Sequence, residues 1–317
     1  MTTSSNHRAY KVISLLLKAA ILISSFCYIA YKLAGPSGSG LLQGLKSGNP
    51  VLLFITFILM FLNWGLEALK WKILIGPLEK ISFWMAFRSI FAGVTVSIFM
   101  PNRVGEFAGR IFFLEKADKV EATLKNFAGS FAQFFMTFCT GIIAMFAVTK
   151  HSQSYADDHF SVAMIVQLVC VLVGSGLITF YLLNRLRKRF SSKIQSYFKA
   201  IADISLPDLF TVFILSFIRY CVFLFQYYLV IKAFGVRIDF EEASVLIAIT
   251  FIITSAIPSF ALTEVVTRGA VAASLFEFYS VDTQPVITAS LVVWIINLAI
   301  PALTGSAFIW KLKFFKT

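Results

Sequence analysis

Charge is scarce in this chain. Of its 317 residues, 14% are charged, against about 25% in an ordinary soluble domain. Histidine occurs three times and cysteine four times. His7, His151 and His159 stand in a tail and a loop, so no apolar run contains an imidazole to act as base or metal ligand. That argues against an intramembrane metalloprotease. Cys27, Cys139, Cys170 and Cys221 all lie in apolar stretches, with no CxxC and no metal-ligand spacing. They read as small buried hydrophobes, and a disulfide scaffold is excluded. Nucleotide-binding motifs are missing too. No metal or cofactor is expected, and any driving force is expected from an ion gradient or a lipid gradient.

What the chain has is apolar surface. Hydrophobic residues make up 58%, Phe alone numbers 35, and the mean hydropathy is +0.82. A soluble fold of this size could not hide so much, so the composition points to an all-α polytopic membrane protein, a single transmembrane domain over 1–317. The Phe residues read as lipid-facing or core bulk. The run from Val12 to Ala34 is too long for the apolar part of a signal peptide and reads as a first membrane helix.

Six runs are long enough to span: 11–33, 50–75, 124–148, 161–184, 209–234 and 285–310. About 20 apolar residues cross the hydrocarbon core. Two further stretches are broken by proline. Ile81 to Met100 stops at Pro101 and continues amphipathically to Lys125. Ala243 to Ile257 stops at Pro258 and continues from Leu262 to Tyr279.

The net charge of +12 is carried by loops. Arg8 and Lys11, then Lys70, Lys72 and Lys80, then the cluster from Arg185 to Lys199, then Lys311, Lys313 and Lys316 fall on one side if the six long runs span. The other side holds only Lys46, Lys150 and Arg237. This is the positive-inside pattern. It places both termini in the cytoplasm of a cell (inner) membrane protein, with attraction of those loops to anionic lipid headgroups and no call for nucleic acid as a partner. The first broken pair then enters from the cytoplasm and the second from outside. Two re-entrant helical pairs on opposite faces mark an inverted pseudo-repeat, about 11–148 and 161–310. The rival reading is two short full spans per pair, which leaves every loop on the same side.

Both broken pairs carry the same pattern. A Pro is followed by Glu-x-x-x-Arg: Pro101, then Glu106 and Arg110; Pro258, then Glu264 and Arg268. Glu and Arg at i,i+4 share a helical face and can pair. The helix start after each Pro favours an anion such as phosphate. Ionisable groups at membrane depth are costly and mark pathways; the plainer reading is that each pair staples a helix start.

The run Pro101, Arg103, Gly105, Glu106, Arg110 resembles the signature of the lysylphosphatidylglycerol synthase transmembrane, or flippase-like, family. A second match is the turn from Pro258 to Glu264, although Ser259, Phe260 and Ala261 stand where the family has glycines. A third is Asn63, Glu67, Lys70, Trp71, Lys72, and a fourth runs from Arg219 through Gln226 to Gly235. The resemblance covers nearly the whole chain. It implies a lipid translocase. Two-part members move an aminoacylated phospholipid that a soluble C-terminal domain makes. This sequence ends seven residues after Trp310, so no aminoacyltransferase domain is expected, and for stand-alone members the resemblance implies movement of a glycolipid or polyprenyl-linked lipid.

Arg219 lies mid-run, where a bare Arg costs about 2.5–3.5 kcal/mol on insertion scales. It reads either as a cavity-facing headgroup site or as a structural partner of Glu67 or Glu264. Arg88 reads either as facing the same cavity or as snorkelling to the interface. Asn297 and Pro301 read as bending the last helix. Gly129 and Gly141 read as easing helix packing.

The favoured function is movement of a phospholipid, glycolipid or polyprenyl-linked headgroup through a polar cavity between the broken pairs. Arg103, Arg110, Arg219 and Arg268 would neutralise phosphate. Glu106 and Glu264 would hold the arginines or bind a cationic headgroup or proton. The alternatives are an intramembrane lipid-modifying enzyme using Glu106 or Glu264 as acid/base, for which no nucleophile–base pair is visible, and a scaffold for an envelope enzyme. A homo-oligomer is left open.

Overall fold

A computed structural model of the chain describes residues 48–98, 100, 103–152, 203–257 and 261–310, with backbone only at 149–152 and 261–263. The expected spans over 11–33 and 161–184, both break prolines Pro101 and Pro258, the termini and most of the basic loop at 185–208 lie outside the described residues.

Among the described residues every regular element is helical. In chain order these are α1 (Pro50–Ile75), α2 (Phe83–Ser97), α3 (Gly105–Ile111), α4 (Lys119–Ser152), α5 (Leu206–Ala233), α6 (Phe240–Ala256), α7 (Ala261–Glu277), α8 (Thr283–Trp294) and α9 (Ile300–Trp310). A π-helical turn, Ile295–Ala299, joins the last two. Four elements are long and apolar enough to cross a membrane: α1, α4 over Lys119–Val148, α5, and the composite Thr283–Trp310. They match the four expected runs that fall on described residues.

Local chemistry sets the helix ends. Asn49 accepts from the Val51 and Leu52 N–H groups ahead of Pro50, Ser82 from Met85, and Ser205 from Asp208. These are ordinary N-caps. The expected bend at Asn297 and Pro301 takes the form of the widened turn. Pro301 has no N–H, and its ring crowds the carbonyl of Asn297 four residues back.

The helices α1 and α5 run antiparallel. The Asn49 N–H donates to the Ala233 carbonyl at 2.9 Å, the Gln226 amide donates to the Thr56 carbonyl at 2.9 Å, and Lys70 Nζ donates to Ser216 Oγ at 3.4 Å. Rising numbers in α1 meet falling numbers in α5. Elsewhere α2 packs on α9 and α6 packs on α4. Thr95 Oγ1 donates to the Ala302 carbonyl at 2.7 Å across the first contact. Gly141 lies against Ile252 across the second, and Gly129 against Leu74 of α1. Trp64, Trp71 and Phe91 fill the interior, while Phe54, Phe131 and Phe210 point outward.

The two broken pairs form helical hairpins of unequal reach. In the first, a Cβ on Gly109 would collide with Gly93, and one on Gly105 would lie 2.6 Å from the Val96 carbonyl. Only glycine lets α3 lie this close to α2. Then α3 stops after seven residues. Glu79, in the loop before α2, accepts from the N–H groups of Glu115 at 3.0 Å, Lys116 at 2.7 Å and Ala117 at 2.9 Å. Burial opposes ionisation of Glu79, but these three donors and the Lys116 charge hold its carboxyl below the usual carboxylate range. The chain is thereby drawn out of helix. Asp118 accepts from Val120 and Glu121 to start α4. The stretch expected to run amphipathically to Lys125 thus ends at Ile111, and its last part belongs to α4. The counterpart, α7, continues for seventeen residues.

Candidate functional site

Both Glu-x-x-x-Arg spacings close into ion pairs. Arg110 Nη2 donates to Glu106 at 2.9 Å, and Arg268 Nη2 donates to Glu264 at 2.6 Å. Each glutamate sits in the first turn of its helix, where negative charge is favoured. Both carboxylates are turned to their arginines, no side chain caps the start of α3, and α3 is only seven residues long.

Contacts over long sequence separations join these pairs into one network. Glu67, on α1, receives Lys70 at 2.7 Å, Arg110 at 2.9 Å and Arg219 at 3.1 Å. Arg110 also donates to Asn126 on α4 at 2.6 Å. Glu67, Lys70 and Arg110 are each at most 3% exposed. At the other end, Arg103 grips both oxygens of Glu264. Its Nη2 donates at 2.8 and 3.0 Å and its Nε at 3.1 Å. Arg103 lies 3.9 Å from Glu106 and so links the two ends. Its backbone is left-handed, with φ 56°, a conformation that costs a non-glycine residue about 1–3 kcal/mol and persists where neighbours fix it. The bidentate fork to Glu264 is such a constraint.

Charges in the network do not balance. Lys70, Arg103, Arg110, Arg219 and Arg268 face Glu67, Glu106 and Glu264, which leaves two positive charges in excess.

One side of the network opens on a cavity of about 480 Å³. Arg103, Arg219, Glu264 and Arg268 line it; Glu67, Glu106 and Arg110 do not, and stand behind it. Arg219 pairs with Glu67, faces the cavity and lies 5.1 Å from the Trp64 ring centre. Arg88 is placed elsewhere. It is exposed on α2, over the rings of Trp84 and Phe308 at 5.6 and 5.9 Å, and does not line this cavity. Gly105 serves the α2–α3 approach.

The sequence reading missed the neutral half of the lining. Ser130, Gln133 and Thr137 face the cavity from α4, spaced so that they share one helical face with Asn126. That polar stripe in an apolar helix was the available signal. Gln133 accepts from Arg219 at 3.3 Å. Asn63 and Asn297, bonded to each other at 3.1 Å, line the cavity from α1 and the π turn. Asn63 and Arg219 each stand thirteen residues past the first residue of their antiparallel helices, so both are near mid-length.

A family model described as the lysylphosphatidylglycerol synthase TM region matches residues 13–305. Neither a curated protein nor a solved structure matches the chain.

Proposed function

This chain belongs to the lysylphosphatidylglycerol synthase TM-region family, a multi-pass membrane protein with a lipid-related role, and from that premise we propose that it is a lipid translocase. The headgroup of a phospholipid, glycolipid or polyprenyl-linked lipid enters the cavity while its tails stay in the bilayer. Arg219 and Arg268 hold the phosphate, and Arg103 joins them. The protein acts as a transporter and not as an enzyme. It sits in the cell membrane with six spans and both termini in the cytoplasm, a reading the basic loops support.

The contact between Arg103 and Glu264 carries this reading. Because α1 and α5 are antiparallel, the hairpins that follow them start from opposite faces. Were each hairpin to cross fully, their turns would lie on opposite faces, about 30 Å apart. Yet Arg103, just past α2, and Glu264, opening α7, meet at 2.8 Å. Two re-entrant hairpins that turn back near mid-depth account for that contact. The fifteen residues of α2 give about 22 Å of helix, short of the hydrocarbon thickness. A charged cavity between two such tips, with a positive excess, is suited to drawing an anionic group into the bilayer interior.

Native mass spectrometry of protein purified in mild detergent tests the proposal. Wild type is expected to carry a distinct phosphate-bearing lipid, and Arg268→Ala to lose it at least tenfold with unchanged elution, because Glu264 keeps Arg103. Bulk membrane lipid held equally by both proteins would overturn it.

A further inference from the structure

The cavity's neutral groups say what lies beside the phosphate. Thr137 donates its hydroxyl hydrogen to the Gln133 carbonyl, Thr254 to Thr250, and Ser255 to Phe251, at 3.2, 2.7 and 2.6 Å. With their hydrogens engaged on their own helices, these oxygens face the cavity as acceptors. Acceptors that line a cavity favour donors on whatever enters it. Hydroxyl groups and ammonium groups are both donors, and charge decides between them. The single lining carboxylate among the described residues, Glu264, is already held by Arg103 and Arg268. With Arg219 the lining keeps two positive charges in excess, the same excess as the whole network. A phosphodiester meets that excess; an ammonium beside it finds no free carboxylate and is repelled by the nearby guanidinium groups.

We propose that the cavity accepts headgroups in which a phosphate carries uncharged hydroxyl-bearing groups, such as glycerol, inositol or sugar, and rejects headgroups bearing an ammonium, aminoacylated ones included. The inference rests on the translocase reading and adds its selectivity.

The test uses full-length protein in vesicles with two labelled probes of identical acyl chains, phosphatidylglycerol and phosphatidylethanolamine, and measures leaflet exchange of each. Exchange of phosphatidylglycerol is expected to exceed that of phosphatidylethanolamine at least tenfold after subtraction of the protein-free rate. Thr254→Glu, which adds a carboxylate to the lining, is expected to shift the ratio toward phosphatidylethanolamine. Equal rates, or a ratio favouring the amine in wild type, would overturn the selectivity and leave the translocase reading standing. No exchange of either lipid above the protein-free rate would overturn the translocase reading and the selectivity with it. A third arm, uptake of labelled glycerol phosphate into the same vesicles, separates a lipid-borne from a soluble polyol phosphate; uptake without lipid exchange would overturn the lipid assignment.

Discussion

Glu67→Gln is expected to destabilise the protein more than any other change within the charge network. Glu67 is 3% exposed and receives three cations, Lys70, Arg110 and Arg219. Its amide replacement keeps the shape and removes the charge. Lys70 and Arg110, at 2% and 3% exposure, then lie buried beside each other without their shared counter-ion. Removing one partner of a buried ion pair costs about 3–5 kcal/mol, and here three cations lose one partner together. The expected result is little or no folded protein, read as aggregation or a collapsed thermal transition in detergent. The double variant Glu67→Gln/Lys70→Met removes one of the stranded cations and is expected to recover part of the loss. A Glu67→Gln protein that melts within a couple of degrees of wild type would contradict the assignment of Glu67 as the centre of the network.

Arg219→Ala is expected to do the opposite: preserve the fold and stop transport. Glu67 still has Lys70 and Arg110 after this change, so no carboxylate is left bare. The lost cation–π contact with Trp64, 5.1 Å from ring centre to guanidinium, is of the order of 1–2 kcal/mol, a shift of a few degrees. The cavity meanwhile loses one of its three lining arginines at mid-length of α5. Leaflet exchange of an anionic lipid is expected to fall at least tenfold. Arg219→Lys keeps the charge without the guanidinium fork and is expected to fall between the two. Arg110→Ala gives the contrast. Arg110 does not reach the cavity, so its loss is expected to show as poor folding and not as a folded, inactive transporter.

What the sequence made legible was local. Glu106–Arg110 and Glu264–Arg268 follow from helical spacing, and α1, α4, α5 and the final helix follow from run length. The proline breaks marked where two hairpins turn, although the prolines themselves lie outside the described residues. What stayed hidden depends on distant segments meeting. Arg103 is 161 residues from Glu264, and no periodicity joins them. Arg110 looked like a headgroup ligand because its motif could be read but its burial behind Glu67 and Asn126 could not. Arg88 and Arg219 both interrupt apolar runs. One sits at an exposed helix face beside Trp84 and the other faces the interior, a difference set by helix rotation. The short α3 was also hidden, because the cause is Glu79, more than thirty residues away, capturing three successive N–H groups.

If the cavity between the hairpin tips is the lipid's path, filling it blocks transport. Thr137 faces the cavity from α4, carries no charge and pairs only with its own helix. Thr137→Trp blocks the space and leaves all eight network charges in place. Leaflet exchange in reconstituted vesicles is predicted to fall to the protein-free rate, with a melting transition close to that of wild type. Exchange at the wild-type rate through a folded, plugged protein would contradict the account.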